Sequence, residues 1–176
     1  MTSLLEAPAD TPQFAALYEA TEILRQALDA LDPSRLDDSE LLAVLNRLEQ
    51  PGRLIDAARV RTAAEAADRS RADLGHDGLA WRAGCRNAAD LVTRATRVST
   101  REAMQRIKLG SVLASRVNVL GVSPSRFPVV AAAMASGALG VDSARLIVDG
   151  LASVTRICGP GEMEGAERAL VATATG

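Results

Sequence analysis

The chain has 176 residues, 48% of them apolar, with only one Trp, one Tyr and two Phe, and a formal net charge of −2. That length can enclose a real core, and an apolar fraction dominated by Ala, Leu and Val favours thin, closely packed helices. A single His and two widely separated Cys, Cys85 and Cys158, exclude a zinc or histidine–metal nuclease centre built within these residues; no metal or cofactor is expected, and both thiols are read as reduced and partly buried.

The opening stretch "MTSLLEAPAD" has no basic region and is too short and acidic for a signal peptide. The longest uncharged run, Phe127 to Val141, contains Pro128, Gly137 and Gly140 and falls short of the ~20 residues of a membrane span. A soluble, cytoplasmic protein with no membrane partner is expected.

Residues 1–36 form an N-terminal segment with one amphipathic helix, from Pro12 to Leu31. Thr11 suits the N-cap and Pro12 the first helical position, and Phe14, Leu17, Tyr18, Thr21, Leu24 and Leu28 recur at helical spacing. Asp32-Pro33-Ser34 stops it. Residues 37–176 read as one helical domain. Asp37 starts a helix with Glu40 three residues on, a capping-box pair. Leu41, Leu42, Leu45 and Leu48 face one way, and Pro51-Gly52 is expected to break or kink the helix. It resumes from Leu54 to about Leu74, with Ile55, Ala58, Thr62 and Ala66 on one stripe. A long antiparallel hairpin or a dimer seam would each use this region.

Gly75, Gly78 and Gly84 mark a loop around Trp81. Trp81 is either a core anchor or a stacking residue; an Ala-rich core favours the anchor. Two helix pairs follow, each joined by a short turn: Ala88–Thr96 with Thr100–Val117, and Arg126–Ser136 with Val141–Val154. They echo one another. Gly159-Pro160-Gly161 breaks the chain, and a last helix from Glu162 still runs at "LVATATG", so the domain is expected to continue past Gly176.

Charge is uneven along the chain. Residues 1–81 carry net −7, residues 82–116 net +6 and residues 117–176 net −1. Nineteen of the twenty basic residues are Arg, as a GC-rich genome would favour, so Arg richness alone says little. A change of sign along the chain says more. At its centre lies "RATRVSTREAMQRIKL". Ser99 and Glu102 form a capping box for the helix after the turn. Ala103, Ile107, Gly110, Ala114 and Val117 make its inward face. Arg101, Gln105, Lys108 and Ser115 share an outward stripe interrupted by Val112, and Arg94 and Arg97 sit just before the turn. Such side chains reach phosphates or base edges, and backbone contacts commonly come from the turn. Arg94, Arg97, Arg101, Gln105 and Lys108 are therefore the candidate contacts to double-stranded DNA. A solvated basic face with Glu102 and Arg106 paired at i,i+4 is the plainer reading of the same residues.

"GCRNAADLVTRATRVSTREAMQRIKLGSVL", from Gly84, resembles the actinobacterial 13E12-repeat family, whose shared region is domain of unknown function 222. Gly84, Ala88, Ala89, Ser99, Glu102 and Ala103 fit its first block; Pro128, Gly137, Leu139 and Ala144 in "FPVVAAAMASGALGVDSARLI" fit its second. Asn87 and Gly140 stand where Ser is usual, Asp90 replaces a common aromatic residue, and Pro51-Gly52 interrupts what is usually a continuous helix. The resemblance spans about residues 40–176. It implies an all-helical domain, often followed in relatives by an HNH endonuclease module. No part of that module lies within these residues, so none of its nuclease residues carries over.

The expected fold is all-α: a multi-helix array with a long N-terminal helical hairpin and two helix-turn-helix-like pairs. The expected function is a non-catalytic, DNA-associated module of an HNH-endonuclease-type or mobile-element protein. The alternative is a structural or homodimerisation module without nucleic-acid contact. An autonomous enzyme ranks third, because Tyr18 and His76 are isolated and no nucleophile–base pair is visible.

Overall fold

The computed structural model describes residues 12–118, 121–155 and 157–176. The chain divides into two units between Leu48 and Glu49. In the first, α1 spans Pro12–Asp29. Its surface carries exposed local ion pairs from Arg25 to Glu22 and Asp29, of the kind worth little in water. Asp32 then caps a short 3-10 turn, Pro33–Arg35, accepting from the Ser34 amide at 3.1 Å. The next helix, α2, spans Asp38–Asp68. Its start is locally encoded: Asp37 Oδ1 accepts from the Glu40 amide at 2.8 Å, and Glu40 Oε2 accepts from the Asp37 amide at 3.0 Å. No described residue from Pro12 to Leu48 is buried, so the two helices predicted to form a hairpin enclose no core.

Of the break or kink expected at Pro51-Gly52, the break does not occur: α2 runs through Pro51. A mid-helix proline removes one hydrogen bond and crowds the carbonyl four residues back. Beyond it, however, Ala57, Val60, Ala63 and Ala64 are buried, and Arg53 Nη1 donates to Ala138 O at 3.3 Å. Packing on this side outweighs the local penalty. The helix ends at Asp68 rather than Leu74, and residues Ala72–Asp77 make a 3-10 segment kinked at Gly75, whose φ is +49°.

The second unit continues with α3 (Leu79–Arg82), α4 (Ala88–Thr96) and α5 (Thr100–Leu113). Trp81 is not a core anchor. It is 61% exposed and stands edge-on to His76 with ring centroids 4.5 Å apart. Within the single turn of α3, Ala80 takes the inward direction and packs with Cys85 and Leu91; the next side chain points away. Cys85 is buried and Cys158 half-buried, both free thiols.

α5 ends at Leu113, four residues before the predicted Val117. Ala114 leaves the helix with ψ 135°, so Ala114 and Ser115 belong to no helix face. A two-stranded antiparallel hairpin follows, β1 (Arg116–Asn118) with β2 (Gly121–Ser123), pairing Val117 with Val122. β-Branched residues favour extended backbone, and this local preference cuts the helix short. The remaining elements are α6 (Pro128–Ala135), α7 (Val141–Val154) and α8 (Pro160–Thr175). Pro160, read as part of a breaker, is instead the first residue of α8, where its missing N–H costs nothing.

The main core joins Ala57 and Val60 of α2 and Leu109 of α5 to Val130 and Met134 of α6, Ala144, Ile147, Val148 and Leu151 of α7, and Val171 of α8, with Phe127 and Leu139 between elements. Burying each large aliphatic side chain stabilises by about 1.5–3 kcal/mol. The closest approach of backbones is at Gly110 of α5. A Cβ there would lie 2.4 Å from the Val60 carbonyl oxygen and 2.7 Å from Ala64 Cβ, so only glycine lets α5 lie this near α2. The fold is all-α, with the small hairpin its one non-helical ladder among the described residues.

Candidate nucleic-acid interface

The basic segment is built by two local caps. Asn87 Oδ1 accepts from the Asp90 amide at 2.9 Å, starting α4. Asp90 answers by accepting from the Arg86 amide at 2.9 Å. Asp90 thus serves as a capping acid. The Arg86 amide, together with the nearby charges of Arg94 and Arg86, holds the Asp90 carboxyl below its ordinary pKa, with partial burial opposing the shift. α4 buries Leu91 and Val92 and stops at Arg97, which takes the left-handed conformation at φ +57° and returns its amide to Thr93 O at 2.8 Å.

The turn is Arg97-Val98-Ser99, as read from the sequence. Val98 packs against the cluster of Ala63, Val92 and Ala103. Ser99 Oγ accepts from the Glu102 amide at 3.1 Å. The reciprocal half of the predicted box is not made, because Glu102 Oε1 accepts instead from Arg106 Nε at 2.9 Å. Ala103, fully buried, and Gly110 face inward as predicted, and Ile107 is half-buried. Leu109 is also buried, a core position the periodicity reading missed.

The five candidates divide. Arg94 is engaged, with Nε 3.2 Å from Asp90 and Nη1 donating to Gly84 O at 3.3 Å. Lys108 is exposed, but its Nζ lies 2.9 Å from Asp149 of α7. Gln105 is half-buried. Arg97 and Arg101 are exposed, and neither makes an ion pair with a described residue. Met104, 53% exposed, lies between Arg101 and Lys108 on the same open side of α5. The structure therefore leaves Arg97 and Arg101 exposed, pairs Lys108 with Asp149 and ties Arg94 into α4.

Sequence reasoning missed three polar residues. Glu167 of α8 is buried and accepts from the Val130 amide at 2.9 Å, supplying the acceptor that α6 lacks at its own start. Arg145 of α7 reaches toward Glu102 of α5. Asp149 claims Lys108. Only a Glu on the apolar side of an otherwise ordinary helix could have hinted at the first; the other two leave no local mark.

A groove of about 950 Å³ runs between α2, α5 and α6, floored by Ala57, Val60, Ala64, Gly110 and Met134; none of the five candidates lines it. Among the described residues, no group of three or more His, Cys, Asp or Glu is placed to hold a metal ion, and no helix is long and apolar enough to cross a membrane. No curated protein and no solved structure matches the chain. The family model described as Domain of unknown function (DUF222) matches residues 42–176. This is the stretch that holds most of α2, both helix pairs and α8, and by that match the chain belongs to the DUF222 family.

Proposed function

We propose that the chain is a non-catalytic, cytoplasmic helical module that associates with duplex DNA through the α4–α5 turn and the open side of α5. The observation that carries this reading is Arg97. A left-handed backbone there costs roughly 1–2 kcal/mol for an ordinary residue and nothing for glycine. Arg occupies it nonetheless, exposed, with Arg101 one turn further on. A strained position whose side chain the fold does not use fits a contact with something outside the chain. Arg97, Arg101 and Lys108 would bind phosphates, and Gln105 would sit at the edge of the contact. In a relative carrying an HNH module, such a surface would hold the duplex for the nuclease.

Titration of a DNA duplex over a salt series tests this. Arg97→Ala/Arg101→Ala should weaken binding and flatten the slope of log K against log salt by about 0.9 for each phosphate contact removed. Asp149→Ala should strengthen binding by releasing Lys108. A flat salt dependence in the unaltered chain, or an unchanged slope in the double variant, overturns the proposal.

A second reading, self-association through the N-terminal unit, has its own support. Leu17, Tyr18, Ile23, Leu42 and Leu45 are all exposed in a unit with no buried described residue, and so many large apolar side chains left uncovered favour an interface. Light scattering decides it: a concentration-independent monomer, unaltered by Leu45→Asp, would sink that reading.

A further inference from the structure

Trp81 and Phe127 are the large aromatic side chains of the second unit; Phe127 is buried and Trp81 is 61% exposed. The chain is not frayed at Trp81. The Leu79 amide donates to Arg69 O at 2.7 Å, and the Ala80 amide donates to Ser70 Oγ at 3.1 Å. The Cys85 amide donates to Ala80 O at 2.8 Å, and both residues pack with Leu91 of α4. The backbone that carries Trp81 is thus pinned before and after it, and the ring is held out on a fixed base.

A second ring is brought to it by the backbone. Gly75 takes φ +49° and ψ −123° and kinks the 3-10 segment one residue before His76. A Cβ at Gly75 would meet no neighbouring atom, so glycine is there for its conformation and not for space. His76 stands with its ring centroid 4.5 Å from that of Trp81, at an interplanar angle of 78°. Two cations follow Trp81 in the chain. Arg82 is exposed and makes no ion pair with a described residue. Arg86, 86% exposed, comes only within 3.6 Å of Asp90, which Arg94 also uses. Asp77 is exposed as well, so from Asp77 to Arg94 three Arg stand against two Asp, a net charge of +1.

We propose that Trp81, steadied by His76, is a stacking platform for an unpaired nucleobase, with Arg82 and Arg86 taking the phosphates beside it. Single-strand sites combine these two parts, an aromatic face for the base and cations for the backbone. A protein contact is the weaker fit. An anchoring Trp at a protein interface sits in a core poor in charge, ringed by residues that shut out water. The exposed side chains nearest Trp81 in the chain, His76, Asp77 and Arg82, are all polar. One ring takes one base, so the ligand has a short unpaired stretch and is not a long coated strand. Trp81 precedes the start of α4 and Arg97 follows its end, and a helix of 9 residues rises about 13 Å. The inference deepens the duplex reading and rests on it for the choice of DNA: it adds an unpaired base to that ligand.

Trp81 is the only Trp in the chain, so intrinsic fluorescence reports on this ring alone. The whole chain is titrated at fixed salt with four ligands: a blunt duplex, the same duplex with a short thymidine overhang, the same overhang made abasic, and free oligothymidine. Anisotropy of a dye on the DNA follows binding separately. The expected result is a saturable quench with the thymidine overhang and with oligothymidine, and none with blunt or abasic DNA. Trp81→Ala should weaken binding of the thymidine overhang by about five-fold or more and leave the blunt duplex unaffected, while Trp81→Phe keeps most of the gain. A quench by oligothymidine without binding of the blunt duplex upholds the stacking site and removes the duplex reading. Duplex binding with no quench from the overhang does the reverse. A quench that blunt or abasic DNA reproduces, or an alanine variant that holds the overhang as tightly as wild type, also overturns the proposal. No quench with any strand overturns it in favour of a protein contact.

Discussion

The two helix pairs have the same outline and different physics. α4–α5 is held by short-range polar contacts: Asn87 and Ser99 cap their own helices, Asp90 ties Arg86 and Arg94, and, apart from Leu109 in the main core, its buried apolar residues form small clusters. α6–α7 sits in the main core, with Val130, Met134, Leu139, Ala144, Ile147, Val148 and Leu151 buried together. Neither of its helices has a side-chain cap of its own. α6 borrows one from Glu167, 37 residues away. A helix pair can thus be specified by its own sequence or by its surroundings, and the one specified by its own sequence is free to leave a charged side open to solvent.

The largest test of this contrast is Leu151→Ala. Leu151 is among the most completely buried side chains, so truncation should cost about 3–5 kcal/mol, the upper range of large-to-small core changes. Urea denaturation followed by circular dichroism measures it; a loss near that of a surface change would remove α6–α7 from the core role. Next in size is Glu167→Ala, which strands the buried Val130 amide and should cost about 2–3 kcal/mol. Glu167→Gln keeps an acceptor and should recover a good part of this. Equal losses in both variants would show that the charge, and not the hydrogen bond, holds α6. Ser99→Ala should cost only about 1 kcal/mol, the usual value of an N-cap, with fraying confined to the first turn of α5 by hydrogen exchange.

The smallest effect sharpens the polar side of the comparison. Asp90 has its pKa lowered in the folded chain, so the unfolded state takes up its proton first as pH falls. Its stabilising contribution is therefore complete above the ordinary aspartate pKa and is lost as pH drops through the lower folded-state value. Asp90→Asn should remove that part of the acid dependence of the urea midpoint. An identical acid profile in wild type and variant would mean that Asp90 gains nothing from Arg86 and Arg94.

The contrast also accounts for what could be read in advance. The starts and the turn of the α4–turn–α5 segment were legible in the sequence, because Asn87 and Ser99 act within one turn of their own positions, and the helical period placed Ala103 and Gly110 on the inward face. The end of α5 was misplaced because helical spacing was extended into Val117, where strand preference takes over. Among the candidate contacts, exposure of Arg101 followed from the helical wheel and that of Arg97 from its place in the turn. The engagement of Lys108 did not, since Asp149 lies 41 residues away.

By itself, then, the sequence determined the all-α class, the starts of α2, α4 and α5, the short turn at Arg97-Val98-Ser99 and the net-positive segment around it. Each depends on hydrogen bonds or periodicities spanning three or four residues. Only the tertiary structure decided that α2 runs through Pro51, that Trp81 faces solvent, that Glu167 caps α6 and that Lys108 pairs with Asp149. In each of these, burial or a partner distant in sequence outweighs the local preference, and a partner of that kind leaves no mark in the neighbouring residues.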